Sequence, residues 1–127
     1  MALAWLVDNV RVKRANGYEM YNIWAFGFGL QALARALETH APGASEERLR
    51  EVCAELVAAI ATYQVPDGGF TYYDFLAQSY RPSDSSMTFC TATVLIALHA
   101  AREQGIAVPD PLVERATKSV RVCRTAE

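Results

Sequence analysis

A chain of 127 residues, 52% of them hydrophobic, is long enough to bury one core and too apolar to stay disordered. Its 12 basic and 14 acidic residues leave a net charge of −2, and no basic patch is interleaved with aromatics, which argues against a nucleic-acid partner. No run reaches the ~18 uninterrupted apolar residues of a membrane span, so residues 1–127 are expected to form a single soluble domain.

The first stretch, Met1 to Val7, is apolar but lacks a basic leader, is broken by Asp8 and Asn9, and has Arg11, Lys13 and Arg14 after it rather than before, unlike a signal peptide. Leu3, Leu6, Val7 and Val10 keep helical spacing and predict an amphipathic helix over about 2–13 whose basic end is solvated. After the Asn16-Gly17 turn signal, a second helix is predicted from Tyr21 to Glu38. Ile23, Trp24, Phe26, Phe28, Leu30, Leu33 and Leu37 make it apolar nearly all round, so burial on most sides is expected. Gly27 and Gly29 let a neighbouring helix or a ligand come close.

Pro42 and Gly43 end that segment, and Ser45 caps a third helix with Glu46 and Glu47 in its first turn. Leu49, Val52, Cys53, Leu56, Val57 and Ile60 form a single stripe, which predicts a wall with one face in water. The Arg81–Ser86 stretch supplies caps for a fourth helix, Met87 to about Gln104, apolar on most sides through Phe89, Cys90, Val94, Leu95, Ile96 and Leu98 and stopped by Gly105. A fifth helix opens on Asp110 and Pro111 and carries the stripe Leu112, Val113, Ala116, Val120, Cys123. The order is outer, inner, outer, inner, outer, with the second and fourth helices the most buried.

Between the third and fourth helices, Pro66 cannot continue a helix and Gly68 and Gly69 accept positive φ, so the chain reverses within Gln64–Phe70. Phe70, Tyr72, Tyr73 and Phe75 follow too closely to share a helical face and are expected to plug the space between helix ends. Gln64, Gly68, Gly69 and Phe70 are accordingly read as a structural motif. Gly17-Tyr18-Glu19-Met20-Tyr21 and Gly69-Phe70-Thr71-Tyr72-Tyr73 share the pattern glycine, aromatic, two residues, tyrosine at a spacing of 52, which suggests an internal repeat of helical hairpins. Cys53, Cys90 and Cys123 each sit in an apolar helical stretch and read as reduced core residues, consistent with a cytoplasmic chain.

Catalytic patterns are sparse. Ser79, Ser83, Ser85 and Ser86 sit in no nucleophile elbow, and Gly27-x-Gly29 lies within a helix rather than after a strand, so it is no phosphate cradle. Cys90 and His99 are nine positions apart on one predicted helix, which at roughly 100° per residue sets them on opposite sides, and His40 falls in a loop; no metal or cofactor is expected. The remaining candidates are Tyr18, Tyr21, Trp24, Tyr72, Tyr73 and Tyr80, as an aromatic pocket able to stabilise cations or as packing at helix ends, with Asp74 and Asp84 as the acids of the same stretches.

Gln64-x-x-x-Gly68-x-Phe70, with Ile60 four residues ahead of the glutamine, resembles the QW repeat of the prenyltransferase and squalene-cyclase superfamily, with Phe70 in place of the usual tryptophan. The tract from Asp84 through Val120, with Gly105-Ile106-Ala107-Val108-Pro109 at its centre, is similar to bacterial prenyltransferase/squalene-oxidase repeat proteins. The resemblance implies an all-α fold of helical hairpin repeats of the α/α toroid type, here about five helices of an incomplete barrel. It also implies an Asp-x-Asp-Asp acid in the cyclases, or an Asp-x-Cys pair with a histidine holding zinc in the protein prenyltransferases. This sequence has neither; Asp84-Ser85-Ser86 is the nearest approach to the first and reads as a helix cap. The expected function is therefore a repeat module without its own catalytic motifs, binding an apolar, isoprenoid-like ligand or a protein partner. The alternative is part of an isoprenoid-processing enzyme whose catalytic residues lie outside this chain. Two hairpins and a spare helix close no toroid, so Trp5, Leu6 and Val10 at one end and Val120 and Cys123 at the other are expected to drive self-association or to meet further hairpins of a longer chain.

Overall fold

The computed structural model describes residues 2–11, 22–71 and 85–124, and these form five α-helices and no strand. They are α1 (Ala2–Asn9), α2 (Asn22–Glu38), α3 (Glu46–Thr62), α4 (Thr88–Glu103) and α5 (Asp110–Arg124). α1 stops short of its predicted end, although Val10 N still donates to Leu6 O at 2.8 Å.

α2 and α4 lie side by side and run in the same direction. Near their starts Trp24 meets Phe89, further along Gly27 faces Thr93 and Val94, and at their ends Arg35 and Glu38 share a cleft with Ala100 and Glu103. α3 returns antiparallel along α2: its last residues bring Tyr63 against Phe26, and its first turn brings Leu49 beside Ala36 and Leu37. α5 returns along α4 in the same way, with Arg102 bonded to Asp110 at one end and Ser86 to Ser119 at the other. Two hairpins thus sit with their first helices in the middle and their second helices outside, and α1 lies against α2 and α3. Gly29 permits that last approach, because a Cβ there would overlap Val10.

The third helix matches its stripe in full, with Leu49, Val52, Cys53, Leu56, Val57 and Ile60 all buried. The two inner helices depart from expectation. α2 has the most buried residues of any helix, among them Ile23, Phe26, Leu30, Leu33 and Leu37, yet Phe28, Ala32, Arg35 and Glu38 face solvent as a continuous stripe. α4 buries Cys90, Thr91, Val94, Ala97, Leu98 and Ala101 on one side only, and Phe89 and Ile96 are 53% and 60% exposed. The reason is the number of neighbours. Apolar composition lets a helix be enclosed, but among the described residues no element covers this side of α2 and α4.

Cys53 and Cys90 are buried and in no disulfide, whereas Cys123 is exposed, so the expectation of three core cysteines fails at the last turn of α5. Burial pushes the Cys53 thiol up to about 11.

Ser45 caps α3 as predicted, its Oγ accepting from Arg48 N at 3.2 Å. The cap of α4 is different: Met87 holds the N-cap position with no side-chain bond, so neither Ser85 nor Ser86 caps it. Gly105 ends α4 at φ 74°, with Ile106 N donating to Ala101 O at 3.0 Å. α2 ends the same way before Pro42 and Gly43 are reached. His40 takes the left-handed position at φ 50°, and Ala41 N donates to Ala36 O at 2.9 Å. The spacing of 52 is not the interval between helices. α2 and α4 start 66 positions apart (22 and 88), α3 and α5 start 64 apart (46 and 110), and Gly17 to Tyr21 lie outside the described residues.

Candidate functional site

Of the candidate ligand-binding residues, Tyr18, Tyr21, Tyr72, Tyr73, Asp74, Tyr80 and Asp84 lie outside the described residues, and Trp24 is described. Gln64, Gly68, Gly69 and Phe70 are all described, and the structure gives each a defined place.

The turn after α3 is held by its own backbone and by two later helices. Val65 N donates to Gly69 O at 3.0 Å and Gly68 N to Val65 O at 2.9 Å, which closes the reversal. Gly68 sits at φ 96°, and a Cβ there would come within 2.6 Å of Arg115 O, so both the backbone angle and the space demand glycine. A Cβ on Gly69 would lie 2.7 Å from Ser119 Oγ and closer still to Ser86. Gln64 Nε2 donates to Gly68 O at 2.8 Å and to Leu112 O at 2.9 Å, while its Oε1 accepts from Arg115 Nη1 at 3.0 Å. The glutamine therefore joins the turn to the first turns of α5. Phe70 is 0% exposed; its N donates to Thr91 Oγ1 at 2.9 Å and its O accepts from Met87 N at 2.8 Å, which ties the same turn to α4.

Asp67 completes this clamp. Its Oδ1 accepts from Gly69 N at 2.9 Å and its Oδ2 from Ser86 N at 2.8 Å. Burial alone would raise its pKa, but the donors from Gly69 and Ser86 and the nearby Arg115 charge outweigh it and hold the carboxyl below its ordinary value. Sequence reading missed Asp67 and Arg115. An aspartate two residues ahead of the amide it accepts from is a recurring turn arrangement and was the available signal; nothing local announces Arg115.

The second arrangement is an aromatic face on the inner pair. Trp24 stacks on Phe28 with ring centroids 5.2 Å apart and 10° between planes, and on Phe89 of α4 at 5.9 Å and 27°. Phe28 is 54% exposed and Ile96 continues the apolar surface one side of α4 further on. Spacings of four and three residues put Trp24, Phe28, Gln31, Arg35 and Glu38 on one line of α2, and spacings of seven put Phe89, Ile96 and Glu103 on one line of α4. The face is therefore aromatic where both helices start and charged where they end, in a cleft of about 360 Å³ lined by Gln31, Arg35, Glu38, Ile96 and Glu103. The signal for it was the recurrence of Arg35 and Glu38 in register with Phe28, which marks that side of α2 as a solvent side.

Among the described residues no three His, Cys, Asp or Glu side chains gather in a way that could hold a metal ion. Cys90 is buried while His99 and His40 are exposed. No described helix is long and apolar enough to cross a membrane. No protein-family model matches the chain, no curated protein matches it, and no solved structure matches its fold.

Proposed function

We propose that this chain is a helical-hairpin module of the prenyltransferase/squalene-oxidase repeat type, without catalytic motifs of its own, that binds an apolar, isoprenoid-like ligand or the apolar surface of a partner on its inner face. The observation that carries this reading is the stack of Trp24 on Phe28 and Phe89, which joins the two inner helices at one end while leaving Phe28 and Phe89 more than half exposed. Stacked rings open to solvent offer area that an apolar molecule removes from water at little ordering cost. The alternation of outer and inner helices and the turn around Gln64 support the toroid-type arrangement.

The test uses the two tryptophans of the chain. In a Trp5→Phe variant the remaining emission comes from Trp24, and titration with farnesol is expected to change it saturably. Phe28→Ala should weaken that binding several-fold with little change in melting temperature. No saturable response up to the solubility limit, or equal affinity in Phe28→Ala, would refute the ligand reading.

A second reading, part of an isoprenoid-processing enzyme with its acid or metal residues elsewhere, is favoured by the parallel setting of α2 and α4, because further hairpins added beside them would extend the aromatic face into a wall. A flanking Asp-x-Asp-Asp or Asp-x-Cys in the extended reading frame would decide for it. Self-association belongs to the same proposal. Val10 is buried and does not contribute, while Trp5 at 65% and Val122 at 60% exposure leave apolar surface near the two ends. Sedimentation at micromolar concentration is expected to show a dimer or larger species, and a folded monomer would remove this part of the proposal.

A further inference from the structure

Charge is distributed unevenly over the helices. Arg11 pairs with Glu55, Arg35 with Glu38, Arg48 with Glu51, Arg50 with Glu46 and Arg102 with Asp110. Among the described residues three basic side chains have no carboxylate partner, and all three belong to α5: Arg115, Lys118 and Arg121. From 115 to 124 the sequence contains no acidic residue, with Glu114 one turn before Lys118, although the chain as a whole carries a net charge of −2. The bonds of Arg115 go to uncharged oxygens, Gln64 Oε1 at 3.0 Å and Pro66 O at 3.2 Å, and Asp67 feels its charge without forming an ion pair with it. Arg115 and Lys118 line a cleft of about 370 Å³, together with Pro66, Asp67, Val122 and Cys123.

We propose that this cleft and its rim are a docking surface for an acidic peptide segment of another protein, with its carboxylates against Lys118 and Arg121 and an apolar side chain between Pro66 and Val122. The surface is distinct from the aromatic inner face and does not depend on what that face binds. Three features select a peptide. Arg115 to Arg121 spans about 9 Å of helix, enough for two or three side chains of an extended strand and too short to track a nucleic-acid backbone. No aromatic side chain lines the cleft for base stacking, and its concave shape, with two cations in its lining, gives a planar membrane little to hold. Asp67 adds a negative charge on the cleft wall beside Arg115, which repels a compact dianion such as phosphate more than carboxylates spread along a strand.

The probe is a fluorescein-labelled peptide of alternating glutamate and leucine, followed by anisotropy with the full chain. A saturable rise is expected at low ionic strength, weakening by about tenfold or more when salt is raised to several times the physiological level. The double variant Lys118→Glu, Arg121→Glu should lose about tenfold or more in affinity at an unchanged melting temperature, since both side chains are exposed and make no described ion pair. A local readout in the unaltered chain is Cys123, the exposed thiol, which saturating peptide should protect from a thiol reagent several-fold while Cys53 and Cys90 stay slow. The proposal is overturned by no anisotropy rise, by equal binding of the charge-reversed variant or of a glutamine-for-glutamate peptide, or by an unchanged Cys123 rate. Binding of phosphatidylserine vesicles or of an oligonucleotide with the peptide silent would likewise overturn it.

Discussion

The two outer helices are attached to the inner pair by different means. α3 buries six apolar side chains from Leu49 to Ile60, so it is held by area removed from water. α5 buries Leu112, Ala116 and Ser119, two of them small, and is held largely by polar bonds: Gln64 to Leu112 O, Arg115 to Gln64 and the Val65 and Pro66 carbonyls, Ser119 to Ser86, and Arg102 to Asp110. The difference matters because apolar burial accumulates with contact area, whereas each hydrogen bond nets only about 1 kcal/mol after competition with water. A helix docked mainly by polar bonds can open locally while the rest stays folded, so α5 is the outer helix of lower local stability.

The largest effect should come from the residue that both hairpins share. Phe70→Ala is expected to cost about 3–5 kcal/mol in chemical denaturation, because its fully buried ring would leave a cavity between the turn and α4. Loss of farnesol binding at an unchanged melting temperature would give Phe70 a ligand role in place of a structural one. Within the comparison itself, Leu56→Ala in α3 should cost about 2–5 kcal/mol, and Ser119→Ala in α5 about 1. Equal costs would mean that polar bonds and apolar area dock the two helices alike.

Gln64→Ala removes two donated bonds and the acceptor of Arg115 at once, for an expected cost of about 1–3 kcal/mol. Hydrogen exchange should then speed up in α5 well before α3, and uniform acceleration across both would contradict the local-opening view. Asp67 links the same clamp to pH. Its folded-state pKa lies below the ordinary value, so the stability it contributes is present above the usual carboxylate range and lost as pH falls through the lowered pKa. Asp67→Asn should therefore flatten the acid limb of a plot of melting temperature against pH below about pH 4 and reduce stability at neutral pH.

The smallest effects lie at the ends of the inner helices, where one conformation is met by two residue types. Gly105→Ala should destabilise by about 1 kcal/mol, and His40→Gly should stabilise by up to about 1, because a side chain is penalised in the left-handed region. Melting temperatures that move together in the two variants would rule out this explanation.

The helices themselves were legible in the sequence, and the reasons are local. Ser45 before two glutamates, Gly105 after an apolar run and the stripe from Leu49 to Ile60 each carry their own instruction, because caps and single stripes need only a few neighbouring residues to specify them. The reversal at Gln64–Phe70 was readable for the same reason. The cap of α4 was not: serines at 85 and 86 are good caps by type, but Ser86 is bonded to Asp67 and Ser119, and the helix starts beyond it.

What the sequence determined by itself is the set of five helices, their order and the turn that joins the hairpins, since propensity, capping and periodicity act over one or two turns of chain. Only the tertiary structure decided which apolar side chains are covered. Phe26 and Phe28 are two residues apart on one helix, and one is buried against Tyr63 while the other is open to water; Cys90 and Cys123 divide in the same way. A residue type expresses its preference for burial, but burial requires a neighbour, and the neighbours of α2, α4 and α5 are fixed by how the two hairpins pack rather than by anything adjacent in the chain.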